Sequence, residues 1–581
     1  MSGLSTDSAL GRIVRVRGSQ VEAGLLANGR LSPAQARATV GRFVSIRCEA
    51  VTIVAIITEV VSETGPRQDR FFAQAAIDLL GEINETPAGK RFRRGVTSYP
   101  AIGDPVDLIS NAELRAIYTP QCTDHIDIGV LQQDPSVTAY VDVEEMLSKH
   151  FAVLGSTGVG KSTGVSLLLN EILKARPKLR IFLLDVHNEY GRCFGDRALV
   201  LNPRNLRLPF WLFNFEEIVD VLFGGRPGVP DELAILTEVL PLAKGMYSQY
   251  GASDRGSLKR ADSRSTVYTV DTPVPYRLVD LIALIDERMG RLENRSSRII
   301  YHKLISRIET VRNDPRYGFM FDNANVGGDT MGEVISHLFR LPAHGRPMTI
   351  MQLAGFPVEV VDSVVSVLCR MAFDFGLWSD GVSPLLFVCE EAHRYASADR
   401  SIGFGPTRKA VSRIAKEGRK YGVYLGLVTQ RPAELDATII SQCSTLFTMR
   451  LANERDQALL RSAVSDAAAN LLSFVASLGT REVLAFGEGV ALPTRLRFKD
   501  VPAHQRPRSE ATIASTPTSD IGDDAALIDR VLDRWRGATS QHDASRDSPL
   551  PRPARTLEAP MLQPSLGLDP DRFSLLKKPL R

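Results

Sequence analysis

The run Gly155-Ser-Thr-Gly158-Val-Gly160-Lys161-Ser162 has the spacing G-x-x-x-x-G-K-S, and the chemistry of that spacing is the cradling of phosphate. Glycines let backbone N–H groups turn inward around phosphate oxygens, and a helix opening at Lys161 adds its positive end. Lys161 is expected to reach the β and γ phosphates of a nucleoside triphosphate, and the Ser162 hydroxyl to ligate Mg2+. The residues assigned to nucleotide are Gly155, Ser156, Thr157, Gly158, Val159, Gly160, Lys161, Ser162 and Thr163.

A second set can act on what that loop holds. Leu385 to Cys389 reads as a buried strand ending in Glu390-Glu391, and adjacent carboxylates at a strand end point to different sides. Glu390 is expected to hold Mg2+ through its water shell, and Glu391 to polarise the attacking water. Asp185-Val-His187-Asn-Glu189-Tyr190 ends another core strand, where Asp185 or Glu189 could order water or metal and His187 is equally well a structural histidine. Gln430 closes the strand Val423 to Thr429, a place from which an amide can sense the γ-phosphate. Charge spreading over phosphate oxygens calls for a cation, commonly an arginine from a neighbouring subunit. Of the basic residues between Arg408 and Tyr421, Arg419 is the expected one.

These groups need a scaffold that brings strand ends together. Phe151–Leu154, a helical stretch Lys161–Leu173 and Arg180–Asp185 spell a βαβ unit. Met348–Leu353, Leu385–Cys389, Val423–Thr429 and Thr445–Leu451 read as further strands of a parallel sheet covered on both faces. Between Leu206 and Gly345 helical patterns take over, at Phe215–Phe223, Glu232–Tyr247 and Leu278–Arg291, which predicts a helical insertion. Gly251–Arg264 is expected to be a loop. Upstream, the short runs Arg12–Arg17, Val21–Leu26, Phe43–Arg47, Val51–Val60 and Pro105–Ile109 predict a small sandwich or barrel.

The chain has 581 residues, enough for roughly four structural units at about 150 residues each. Its 44% hydrophobic and 24% charged content excludes a wholly disordered or collagen-like chain. With 70 Lys and Arg against 67 Asp and Glu, the net charge of +3 gives no global pull on polyanions, so any such site is local. No apolar run is long enough to cross a bilayer and Met1–Gly18 lacks a signal-peptide core, so no membrane contact and a cytoplasmic location are expected. The six cysteines are dispersed, without a C-x-x-C pair. Ten of the 33 prolines fall after residue 500, which predicts a partly disordered tail. Within it Leu527, Ile528, Val531, Leu532 and Trp535 have the spacing of one amphipathic helix.

Taken together, Gly155–Ser162, the Asp185–Tyr190 string, Glu390-Glu391-Ala-His393, Glu417-Gly-Arg419-Lys-Tyr-Gly422 and Thr429-Gln430-Arg431-Pro432 resemble the HerA-type ATPases of the FtsK and HerA class of P-loop translocases. The resemblance spans most of residues 10–500. It implies an α/β fold with a RecA-like core, a central parallel sheet and an N-terminal β-barrel like that of rotary ATP synthase subunits. The expected divisions are a barrel at 1–118, core at 119–205 and 346–500, an inserted helical bundle at 206–345 and an extension at 501–581. Asn188 stands where the family string usually has Gly, and Lys149 where some relatives carry an arginine that reaches across the subunit interface.

The same resemblance implies a homo-hexameric ring that hydrolyses ATP with Mg2+ and moves on double-stranded DNA. It also implies a separate partner: a NurA-type nuclease in DNA end processing, or an anti-phage effector such as another nuclease or a sirtuin-like NAD-consuming enzyme. Arg400, Arg408 and Lys409 are the expected DNA contacts, since their segment follows the acidic strand. A scaffold ring that binds ATP and activates an effector without translocating is the alternative. A conjugation or secretion ATPase fits less well, because the β-rich start suits the HerA type.

Overall fold

The computed structural model describes residues 9–26, 38–48, 51–62, 73–87, 89–120, 123–253, 268–322, 328–400, 403–464, 471–508 and residue 532. Seven strands come first: β1 (Gly11–Arg17), β2 (Gln20–Leu25), β3 (Phe43–Arg47), β4 (Thr52–Ser62), β5 (Ala73–Thr86), β6 (Gly89–Arg94) and β7 (Pro105–Leu108). They pair antiparallel in the order β2-β1-β7-β3-β4-β5-β6, and β2 also pairs with β5. Six strands therefore close into a barrel, with β6 appended to β5. Ile13, Val44, Ile53, Ile77 and Val106 fill it.

Strands β5 and β6 were not among the expected runs. The composition Ala-Gln-Ala-Ala-Ile-Asp-Leu-Leu favours helix, yet β5 is held as a strand by pairing on both sides with β4 and β2. Gly81 permits the further pairing of β5 with β6, because a Cβ there would lie 2.5 Å from the Arg93 carbonyl oxygen.

After α1 (Asn111–Tyr118) the chain enters a second sheet through β8 (His125–Leu131), β9 (Thr138–Asp142), α2 (Val143–Leu147) and β10 (His150–Leu154). Next follow α3 (Lys161–Ala175), β11 (Arg180–Asp185) and β12 (Ala198–Leu201). A helical insertion comes next: α4 (Phe215–Phe223), α5 (Pro230–Ser253), α6 (Leu278–Gly290), α7 (Arg295–Arg312), α8 (Gly318–Phe321) and α9 (Met331–Phe339). Helix α5 thus runs through the first residues of the expected loop, and 254–264 lie outside the described residues. The sheet resumes with β13 (Met348–Gln352), α10 (Val361–Trp378), β14 (Leu385–Cys389), α11 (Gly405–Glu417) and β15 (Val423–Thr429). It ends with α12 (Ala437–Ile440), β16 (Cys443–Thr448), α13 (Glu454–Ala463), β17 (Glu482–Gly487) and β18 (Thr494–Phe498).

The eleven strands are ordered β12-β13-β11-β14-β15-β10-β16-β17-β18-β8-β9. The first seven are mutually parallel and the last four are joined by antiparallel pairings. The parallel centre is apolar along its length, as burial on both faces requires; Phe151, Ala152, Val153 and Leu154 are at most 1% exposed. The barrel is fastened to the antiparallel flank by Arg94, whose guanidinium donates to the carbonyls of Ala491 (2.8 Å) and Gly487 (2.6 Å).

Two buried polar groups pin the core. Glu217 of α4, with no exposed surface, bridges Arg370 of α10 at 2.8 Å and accepts from Ser366 Oγ at 2.8 Å. His150 accepts from the Leu425 N–H through Nδ1 at 2.9 Å, so its Nε2 donates to the Ala415 carbonyl at 2.9 Å. Burial lowers the His150 pKa to about 4. Because that lies below the unfolded value of about 6.5, the neutral ring stabilises the fold fully above pH 6.5. The contribution, roughly 3 kcal/mol, is lost as pH falls towards 4. Denaturant unfolding at pH 7.5 and 4.5 measures it: His150→Gln, with no ring to titrate, should lose less stability than wild type, and equal losses would remove His150 from the account.

No helix among the described residues is long and apolar enough to cross a membrane. The tail stretch Leu527–Trp535 lies outside the described residues, Leu532 excepted.

Candidate functional site

Strands β10, β11, β14 and β15 all end on one edge of the parallel sheet, and each releases a functional loop there. Beyond β10, the chain turns at Gly158 (φ +78°) and Gly160 (φ +96°), backbone angles that glycine adopts without a Cβ clash. Gly160 is the N-cap of α3, so the free N–H groups of that helix open towards the turn. The turn is tied down at both sides: Gly155 N–H donates to the Thr429 carbonyl (3.2 Å), and Ser156 N–H and Oγ to the Arg450 carbonyl (3.0 and 2.8 Å). A cleft of about 490 Å³ lies over it, walled by Lys161, Ser162, His187, Glu390, Glu391 and Gln430 among others.

The structure brings Lys161 and Glu391 together. Lys161 Nζ lies 3.5 Å from Glu391 Oε1, with side chains only 8% and 7% exposed. Glu391 adopts φ +48°, the left-handed region, which costs a non-glycine residue roughly 1–2 kcal/mol. That strain turns its carboxylate off the β14 axis and into the cleft. Oxygen Oε2 is buried with no hydrogen-bond partner. His393 Nδ1 lies 3.3 Å from that oxygen and 3.0 Å from Thr429 Oγ1, and burial lowers the pKa of the ring against the pull of Glu391. The imidazole therefore stands between the acid and the end of β15.

Glu390 points the other way, as adjacent strand-end residues do. Its Oε2 accepts from the Val186 N–H at 3.2 Å. Burial, together with the charges of Asp185, Glu189 and Glu391, pushes its pKa up to about 8. Asp185 serves the turn instead of the cleft: its carboxylate accepts from the backbone N–H groups of Glu189 and Tyr190, both at 3.0 Å. Burial nonetheless raises it to about 6. Asn188 takes φ +55° in this turn, so the glycine-type conformation is kept by a residue that tolerates it. His187 is half exposed, with Nε2 3.9 Å from Glu391 Oε1. The Tyr190 hydroxyl is buried against the Ser162 side chain and has no hydrogen bond of good geometry.

Gln430 reaches the loop directly, its Oε1 accepting from Thr157 Oγ1 at 2.5 Å. Arg419 does not enter this cleft. It lies in the turn Gly418–Tyr421 that leads into β15, at the opposite edge of the sheet from the phosphate turn. Arg400 and Arg408 are on the cleft side of the sheet, in the segment joining β14 to α11 and in its first turns. Lys409 of α11 is paired with Glu216 at 3.6 Å on the surface.

Four contributors were not anticipated from sequence. Arg481 donates its N–H to the Val159 carbonyl (3.0 Å), packs its side chain against Gly160 and pairs with Asp500. Pro507 lines the cleft, and the Arg508 N–H donates to the Glu189 carbonyl at 3.0 Å. Arg450 supplies the carbonyl that holds Ser156. None of the four sits in a recognisable motif; each arrives from more than 290 residues away because β16 folds back beside β10, with β17 and β18 next to it.

The arrangement fits a triphosphate with a divalent cation. Among the described residues no group of three or more His, Cys, Asp or Glu could hold a metal alone. Mg2+ commonly binds through one or two carboxylates plus phosphates and water, and Ser162 and Glu390 are placed to serve it so. Glu391 lines the cleft, and its buried Oε2 is left without a hydrogen-bond partner.

Residues 126–372 match the family described as "Helicase HerA, central domain". The chain is 25% identical over 509 residues to the DNA double-strand break repair helicase HerA of Pyrococcus furiosus, covering 79% of this chain and 82% of that one. It is 25% identical to the protein of the same name from Sulfolobus acidocaldarius, covering 74% and 78% respectively. Among solved structures, VirB4 of Thermoanaerobacter pseudethanolicus is similar with a TM-score of 0.44 and 16% identity, over 65% of this chain and 96% of that one.

Proposed function

We propose, from the premise that this chain belongs to the HerA helicase family of P-loop ATPases, that it is a hexameric ATP hydrolase that moves on double-stranded DNA and works with a partner nuclease or other effector. One observation carries the hydrolytic reading. The phosphate turn, a buried carboxylate with an unpartnered oxygen and the Gln430 amide face one cleft. The DNA reading is supported by the relatives, two of which are named as DNA double-strand break repair helicases.

In this reading Lys161 exchanges its pairing with Glu391 for the β and γ phosphates. Glu391, released from the lysine, accepts a proton from the attacking water through Oε2. His393, bonded through Nδ1 to Thr429 Oγ1, packs beside the carboxylate, and Gln430 reports on the γ-phosphate through Thr157. Ser162 directly and Glu390 through intervening water would hold Mg2+, which would supply positive charge against the phosphates. Arg419, remote from the cleft of its own protomer, completes the cleft of a neighbour in the ring. Arg400, Arg408 and Lys409 meet DNA phosphates in the central pore.

Subunit mixing tests this. Lys161→Ala and Arg419→Ala proteins should each be inactive in duplex-stimulated, Mg2+-dependent ATP hydrolysis. Mixed in one assembly, they should recover a fraction of wild-type turnover, because some seams then combine an intact phosphate turn with an intact arginine. A monomer that leaves ATP intact with and without duplex would sink the whole reading; unimpaired turnover by Arg419→Ala alone would sink only the choice of arginine.

A further inference from the structure

A second cleft lies in the helical insertion, away from the phosphate turn. It has a volume of about 1030 Å³ and is formed where one face of α7 stands across from the C-terminal ends of α4 and α6. Arg295, Arg298, His302, Lys303 and Arg307 line it from α7, at the three- and four-residue spacing that puts side chains on one helix face. The one carboxylate in its lining is Asp286. Glu309 is the single acidic residue of α7.

The cations are unevenly committed. Arg307 bridges Glu232 at 3.1 Å and covers the Phe223 ring at 4.3 Å. Arg298 donates to the Leu292 carbonyl at 2.7 Å. Arg295 and Lys303 form no ion pair among the described residues. Beneath them the lining is apolar, with Leu222, Met289, Val311 and Ile299, the last 48% exposed. A cationic rim over an apolar floor asks for a ligand with the converse pattern.

We propose that this cleft is a docking groove for an acidic amphipathic α-helix of a partner protein. The lined face of α7, from Arg295 to Thr310, runs roughly 22 Å, and a helix of about four turns and about 10 Å diameter matches that length. Its apolar stripe would cover Ile299, Met289 and Val311, and its carboxylates would pair with Arg295, Arg298 and Lys303. Nucleic acid suits the groove less well. Strand binding uses aromatic faces for base stacking, and here Phe223 is covered by Arg307 while Tyr317 has Arg316 over its ring at 5.9 Å. A duplex also brings no apolar surface for the floor. This groove is separate from the hydrolytic site, so the proposal stands or falls independently of that reading.

The test uses the full-length chain and a fluorescein-labelled, designed 14-residue helical peptide with a leucine stripe and a glutamate face. Binding by anisotropy should be micromolar, and R298E/K303E should weaken it at least tenfold with ATP turnover and thermal unfolding unchanged. I299S, at an exposed position that leaves the core intact, should weaken it about fivefold, as should exchanging the peptide leucines for serine. Three results would overturn the proposal: binding indifferent to R298E/K303E, binding indifferent to both apolar changes, or displacement of the peptide by a short DNA duplex whose own binding is lost in R298E/K303E.

Discussion

Glu391→Gln is expected to lower ATP turnover by about 10²- to 10⁴-fold, the range over which a positioned general base contributes, with nucleotide binding intact. The glutamine is nearly isosteric, so the left-handed backbone and the neighbouring His393 stay in place. What disappears is a carboxylate that can accept a proton at Oε2, an oxygen otherwise buried without a partner. The ion pair to Lys161 at 3.5 Å disappears with it. Since that pair competes with phosphate for the lysine, the variant should bind nucleotide at least as tightly as wild type. Lys161→Ala is the converse control, expected to lose binding and turnover together. Turnover of Glu391→Gln within threefold of wild type would exclude Glu391 as the base. A partner effector that stays fully active with a non-hydrolysing Glu391→Gln ring would favour the scaffold alternative over a motor.

Much of this site was legible because its pieces are local. A phosphate turn, an acidic strand end and a polar strand end each occupy a few consecutive residues. A parallel strand buried on both faces is written as an unbroken apolar run, so Phe151–Leu154 and Leu385–Cys389 could be read directly. The strands that escaped are those whose burial comes from tertiary pairing. Strand β5 is rich in helix formers and is a strand because β2 and β4 flank it. Strands β8, β9, β17 and β18 form an antiparallel flank from two distant parts of the chain. Arg481 was hidden for the same reason: it meets Val159 and Gly160 only once β17 has folded beside β16. The spatial separation of Arg419 from the phosphate turn was likewise not visible, because sequence proximity to Gln430 conceals that β15 carries the two residues to opposite edges.

The largest effect on stability is expected at the junction of the insertion with the core. Glu217 and Arg370 form a buried pair, bonded at 2.8 and 3.2 Å, with the Leu212 carbonyl and Ser366 hydroxyl completing it. Removing one partner from such a pair costs about 3–5 kcal/mol, because the remaining charge is stranded without solvent. Arg370→Met should therefore destabilise the protein by that amount, leaving Glu217 with no exposed surface and no cation. Replacing both, as Glu217→Gln with Arg370→Met, should cost far less than the sum of the single changes, since neither site then carries a charge. Denaturant unfolding of the four proteins gives the coupling directly. A loss below about 1 kcal/mol for Arg370→Met would mean that water reaches Glu217, and additive losses would mean that the two side chains stabilise the junction separately. Because α4 and α10 meet away from the ends of β10, β11, β14 and β15, ATP turnover per folded molecule should be preserved in every variant of the set. Stability and hydrolysis would then be separable properties, the first resting on this junction and the second on Lys161, Glu391 and the turn between them.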